Sequence, residues 1–180
     1  MNLMRTIRLD LSDTFVFDPA AEPGEWAVSG AFAFWDRDPA VLEGKRRTAF
    51  RSGFLGLESL GWSTLVQIVE ATPEDRANVV ELLAQQLVEK FGAPNLQAAA
   101  AAAEEEVAFA ESLCTQPKDT LIAVHRTYEN GQVREQFRTL HAREGARPAR
   151  AFSFLEVEGE VEEEPEDRVA LIGMADKVRK

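Results

Sequence analysis

One cysteine, two histidines and one tyrosine stand in a chain of 180 residues, and each scarcity closes off a class of chemistry. A lone Cys114 cannot form an internal disulfide. His125 and His141 are too far apart in sequence, and too few, for the clustered imidazole and thiolate ligands of a structural zinc site. Gly53, Gly56 and Gly61 do not fit G-x-G-x-x-G, and G-x-x-x-x-G-K-[ST] does not occur, so neither phosphate-cradling loop is present. Gly56-Leu57-Glu58-Ser59-Leu60-Gly61 is one residue too long on its first side for the nucleophile elbow G-x-S-x-G, which leaves Ser59 as a loop serine. Asp36-Arg37-Asp38 reads as a charged turn before Pro39, because calcium would need further oxygen ligands and a loop glycine. No stretch approaches the roughly 18 apolar residues of a membrane-spanning helix. Arg5, Arg8 and Asp10 interrupt the opening residues before a signal-peptide core can form. These absences lead us to expect a cytoplasmic, non-catalytic protein that carries no metal and no cofactor.

What is present is acidic. The net charge is −11, and the last 25 residues, with 9 acidic and 4 basic side chains, supply −5 of it. A negative field repels phosphate backbones and anionic lipid, so nucleic acid and membrane are not expected partners. Glu156 to Asp167 holds eight acidic residues in twelve, a composition that reads as a solvated linker. The expected organisation is one domain over 1–155, followed by an acidic linker and short tail over 156–180, whose Val169 to Met174 is apolar enough to dock.

Local patterns give the elements. Thr72 is an N-cap, Pro73 suits the first helical position, and Glu74 and Asp75 oppose the helix dipole. Val80, Leu83, Leu87 and Phe91, widened by Val79 and Leu82, recur at 3.6-residue spacing until Gly92 and Pro94 end the helix. A second helix follows from about Asn95 to Cys114, and the short link predicts an antiparallel helical hairpin. Asn130-Gly131 is the preferred pair for a two-residue type I′ turn. Centring it sets Tyr128 opposite Val133, Arg126 opposite Glu135, Val124 opposite Phe137 and Ile122 opposite Thr139. His125, Thr127, Arg134, Gln136 and Arg138 then share the other, polar face. Ser63 to Glu70 reads as a central strand, Trp26 to Phe34 as one long strand, and Met4 to Leu9, Thr14 to Phe17 and Ala151 to Val157 as weaker strands. Asp38 to Leu57 fits either turns or a short helix from Pro39. Strands, then a helical hairpin, then a β-hairpin predict an α+β fold: an antiparallel or mixed sheet of about five to seven strands covered on one face by the helices.

Two features bear on function. From Arg134 to Arg150 the chain carries Arg134, Arg138, His141, Arg143, Arg147 and Arg150 against Glu135 and Glu144. Arginine forks bind carboxylate and phosphate bidentately, so His125, Arg134, Arg138 and His141 are a candidate anion site. The commoner outcome for such a face is a solvated surface, or a dock for the chain's own acidic 156–167 segment. Cys114, at the negative end of its helix, should have a raised pKa and pack as a structural residue. Most of the aromatic content belongs to the core, with Trp35 expected at an edge or interface.

The segments Gly24-Glu25-Trp26-Ala27-Val28-Ser29-Gly30-Ala31-Phe32-Ala33-Phe34-Trp35 and Gly61-Trp62-Ser63-Thr64-Leu65-Val66 make the chain resemble a family of small uncharacterised alphaproteobacterial proteins, over most of the first 150 residues. The resemblance implies no activity and no site residues. It carries one further implication, an accessory role beside molybdenum-dependent formate dehydrogenase. The leading expectation is therefore a protein that works by association, as a homodimer or an accessory subunit. A small-anion binder or enzyme built around His125 and the arginines is the alternative.

Overall fold

The computed structural model describes residues 1–142 and the strand at 155–162. Eight strands form one sheet in the order β4-β3-β2-β1-β5-β6-β7-β8. They are β1 (Asn2–Ile7), β2 (Trp26–Val28), β3 (Phe54–Gly56), β4 (Trp62–Ser63), β5 (Leu65–Glu70), β6 (Leu121–Glu129), β7 (Gln132–Ala142) and β8 (Leu155–Glu162). The helices are α1 (Ser12–Val16), α2 (Gly44–Ser52), α3 (Pro73–Lys90) and α4 (Leu96–Leu113), with short 3-10 turns at Ala31–Phe34 and Pro39–Val41. Every pairing between these strands is antiparallel. The α+β class and the helical hairpin agree with the sequence.

The sheet is curled, and two phenylalanines measure how strongly. Phe54 on β3 and Phe137 on β7 have ring centroids 6.3 Å apart. Five interstrand steps separate them in the sheet order, which in a flat sheet would be about 24 Å. Only a sheet rolled around its own contents brings those rings together. The helical hairpin fills the roll: α4 turns Ala99, Ala103, Val107, Ala110 and Leu113 inward, all buried. Its alanines let the helix axis approach closely. α3 packs against α4 and buries Val79, Leu83 and Ala84. Arg76 ties the two together, reaching Glu104 at 2.6 Å and Glu111 at 2.9 Å on α4.

Caps behave as their residues dictate. The Thr72 hydroxyl accepts from the Asp75 N–H while the Asp75 carboxylate accepts from the Thr72 N–H, a reciprocal capping box. Those bonds hold the Asp75 carboxyl below the usual carboxylate range. Asn95 caps α4 by accepting from the Ala98 N–H. Gly92, at φ +74, lets the Ala93 N–H turn back to the Leu87 carbonyl. Asn130 and Gly131 both have positive φ, and β6–β7 pairs with the expected register throughout, Arg126 opposite Glu135 and Val124 opposite Phe137.

Three local expectations are corrected. Thr14 to Phe17 is not a strand but belongs to α1 and its C-cap. The Asp13 carboxylate on that turn accepts from both the Thr64 N–H and hydroxyl, which a strand at this place could not offer. Trp26 to Phe34 is not one long strand: β2 stops at Val28, and Gly30 at φ +82 turns the chain into a 3-10 segment. Glu156 to Asp167 does not read as linker throughout, because β8 takes the backbone to Glu162 along β7. The apolar segment expected to dock, Val169 to Met174, and the arginines at 143, 147 and 150 lie outside the described residues. Among the described residues no helix is long and apolar enough to cross a membrane.

Candidate ligand-binding cleft

The expected anion residues lie along β6 and β7, His125 standing diagonally between Arg134 and Arg138 in the register. His125 is exposed on β6 opposite Gln136. Arg134 and Arg138 are exposed on the same face of β7, four residues and hence about 13 Å apart. Strand alternation puts His141 on the opposite face from Arg138. Arg138 and His141 already have interactions of their own, and Arg134 lies 4.0 Å from Glu129. The β7–β8 register sets Glu160 opposite Arg138 and Glu156 opposite His141. The acidic segment and the basic hairpin thus meet as neighbouring strands.

A buried polar network occupies the inside of the roll. Arg126 and Glu135, cross-strand partners, have no exposed side-chain surface and form an ion pair at 3.3 Å. The Arg126 guanidinium also donates to the carbonyls of Phe50 at 3.0 Å and Gly53 at 2.7 Å, to Ala49 at 3.4 Å, and to the Ser29 carbonyl. The Ser29 hydroxyl donates to Glu135 at 2.6 Å, and the Gly30 N–H donates to Glu106 of α4 at 3.2 Å. One side chain from β6 therefore fastens the end of α2, the end of β2 and β7. Glu25 plays a similar part on a loop, accepting the N–H groups of Glu22, Glu58 and Ser59 and the Ser59 hydroxyl. The Ser59 hydroxyl, donating to Glu25 and accepting from the Gly61 N–H, joins the two loops.

The network holds one wall of a cleft of about 160 Å3, lined by Asp18, Lys45, Arg46, Leu60, Trp62 and Phe91 among others. Trp62 is its floor, buried on β4 beside Phe34 with ring centroids 5.1 Å apart. The indole fits because two neighbours lack side chains: a Cβ on Gly53 would stand 2.8 Å from the ring, and one on Gly30 would stand 3.0 Å from it. The Trp62 N–H donates to the Pro19 carbonyl and the Ala21 N–H to the Trp62 carbonyl, which lays the Asp18 loop along one rim. Helix α2 also lines the cleft, through Lys45, Arg46 and Ala49. Its first turn carries Lys45, Arg46 and Arg47, and Glu43 at the N-cap makes no side-chain cap. Cations at the positive end of a helix cost a few tenths of a kcal/mol each. Arg46 stands 5.4 Å from the centroid of the Phe34 ring. No ion pair ties Asp18, Lys45 or Arg46 to another side chain among the described residues.

A smaller hollow of about 60 Å3 lies beside α1, where Asp10 and Asp13 are its charged groups. Both carboxylates already accept hydrogen bonds, Asp10 from Ser12 and Asp13 from Thr64. No cluster suited to a metal ion occurs among the described residues. Cys114 is buried and free, its Sγ directed at the Ala110 carbonyl. Burial, with a smaller contribution from Glu111, pushes its thiol up to about 12. The direction matches the sequence expectation, although burial rather than the helix end leads.

Sequence patterns do not single out Lys45, Arg46 or Asp18 as site residues. The available signal was Lys45-Arg46-Arg47 in an acidic chain, inside a segment whose secondary structure was ambiguous. No curated protein and no solved structure matches the chain. A family model described as a family of unknown function (DUF6505) matches residues 1–153. The chain belongs to that family.

Proposed function

We propose that the protein binds a small carboxylate-bearing molecule in the cleft between α2 and Trp62, and works by binding rather than by chemistry. The observation that carries this reading is Lys45 and Arg46, set in the first turn of an uncapped helix above an aromatic floor and unengaged by any carboxylate among the described residues. Sequence and local helix physics disagree there, and such disagreements concentrate at functional sites. A bound carboxylate would remove the disagreement, since it suits both the helix end and the arginine fork. The volume is below the roughly 300 Å3 at which drug-sized ligand sites begin, so the ligand is small. Isothermal titration with 4-methylpentanoate tests it: binding should weaken about tenfold or more in Arg46→Gln, the range for a lost charge-assisted hydrogen bond. Absence of binding at millimolar ligand, with no shift of the Trp62 indole resonance, would refute it.

A second reading, association of two copies, is favoured by α1. Leu11 and Phe15 are one helical turn apart and 65% and 73% exposed, an apolar pair that a two-fold contact could cover. Light scattering should then show a dimer that Phe15→Asp converts to monomer. A wild-type monomer at high micromolar concentration would dismiss it.

A further inference from the structure

The cleft carries both signs of charge, and that restricts its ligand further. Lys45 and Arg46 on the first turn of α2 and Asp18 on its loop all line it, and among the described residues Asp18 forms no ion pair with either, so the two signs stand apart. Asp18 is exposed, and among the described residues its carboxylate makes no hydrogen bond or ion pair. A ligand bearing only negative charge would gain from Lys45 and Arg46 and lose part of that gain to Asp18, a phosphate dianion most of all. A ligand with a carboxylate at one end of a short polar head and an ammonium at the other meets attraction at both ends. Its apolar body would lie on Leu60, Trp62 and Phe91, whose side chains are mainly hydrocarbon.

We infer that the cleft takes a zwitterionic amino acid with an apolar side chain. The inference rests on the carboxylate-binding reading and adds the ammonium site at Asp18. Both signs of charge on the lining of one cleft, unpaired with each other among the described residues, carry it rather than any single residue.

Three ligands of nearly the same shape test it by isothermal titration: L-leucine, 4-methylpentanoate, which lacks the ammonium, and 3-methylbutylamine, which lacks the carboxylate. L-leucine should bind about tenfold tighter than either analogue. In Asp18→Asn the ratio between L-leucine and 4-methylpentanoate should collapse toward one, with circular dichroism confirming the fold. Equal binding of L-leucine and 4-methylpentanoate, or an unchanged ratio in Asp18→Asn, would overturn the amino-acid assignment while leaving carboxylate binding standing. Binding of the amine alone, or of none of the three, would overturn both.

Discussion

Replacing Arg126 by alanine deletes the one fully buried cation among the described residues. Glu135, its partner at 3.3 Å with no exposed side-chain surface, would be left buried and charged. Breaking a buried pair from one side costs about 3–5 kcal/mol. The carbonyls of Ser29, Phe50 and Gly53 lose a donor as well, and each unmet buried acceptor adds about 1–3 kcal/mol where water does not enter. A domain of this size has about 5–15 kcal/mol in total, so Arg126→Ala should be unfolded or nearly so at 25 °C. The double variant Arg126→Met/Glu135→Met separates the two contributions. It removes the orphaned charge but leaves the carbonyls unmet, so it should be less stable than wild type yet more stable than Arg126→Ala by about 2 kcal/mol or more. Urea unfolding followed by tryptophan fluorescence supplies both values, since Trp62 lies in the wall that Arg126 holds. A loss below about 1 kcal/mol in Arg126→Ala would show that the pair behaves like a surface ion pair and refute the role given to it.

Gly30→Ala should lower stability by about 3 kcal/mol, combining a left-handed backbone at φ +82 with a Cβ 2.6 Å from that of Leu55; thermal melting that matches wild type would contradict it. Cys114, with its pKa pushed up to about 12, should react with a thiol reagent at pH 8 only after unfolding. About one thiol in ten thousand is ionised at that pH, so rapid native-state labelling would disagree. Ending the chain at residue 154 removes β8 and leaves the 11-residue strand β7 as an edge. The shortened protein should self-associate with rising concentration, measured by light scattering, because an unpaired edge invites another strand.

The parts of the molecule governed by neighbouring residues were legible in the sequence. Thr72 and Gly92 bound the first long helix through bonds that span only a few positions, and Asn130-Gly131 sets the β6–β7 register because the turn itself requires positive φ. Alternation about that turn even put Arg126 and Glu135 opposite each other on the inner face. What the sequence could not supply was the reason for a charged pair there. That reason is α2 and Ser29, more than seventy positions away, delivered by the curl of the sheet. Trp26 to Phe34 looked like a continuous strand because alternation persists past Ser29. Tertiary structure ends it at Gly30, where the Trp62 ring occupies the space a side chain would need. The cleft follows the same rule: Asp18, Lys45, Trp62 and Phe91 leave no spacing pattern, since closed loops and a rolled sheet bring them together. Sequence alone determined the caps, the hairpin and the fold class, whose physics is local; only the tertiary structure decided the inner charge network and the cleft, whose contacts join distant segments.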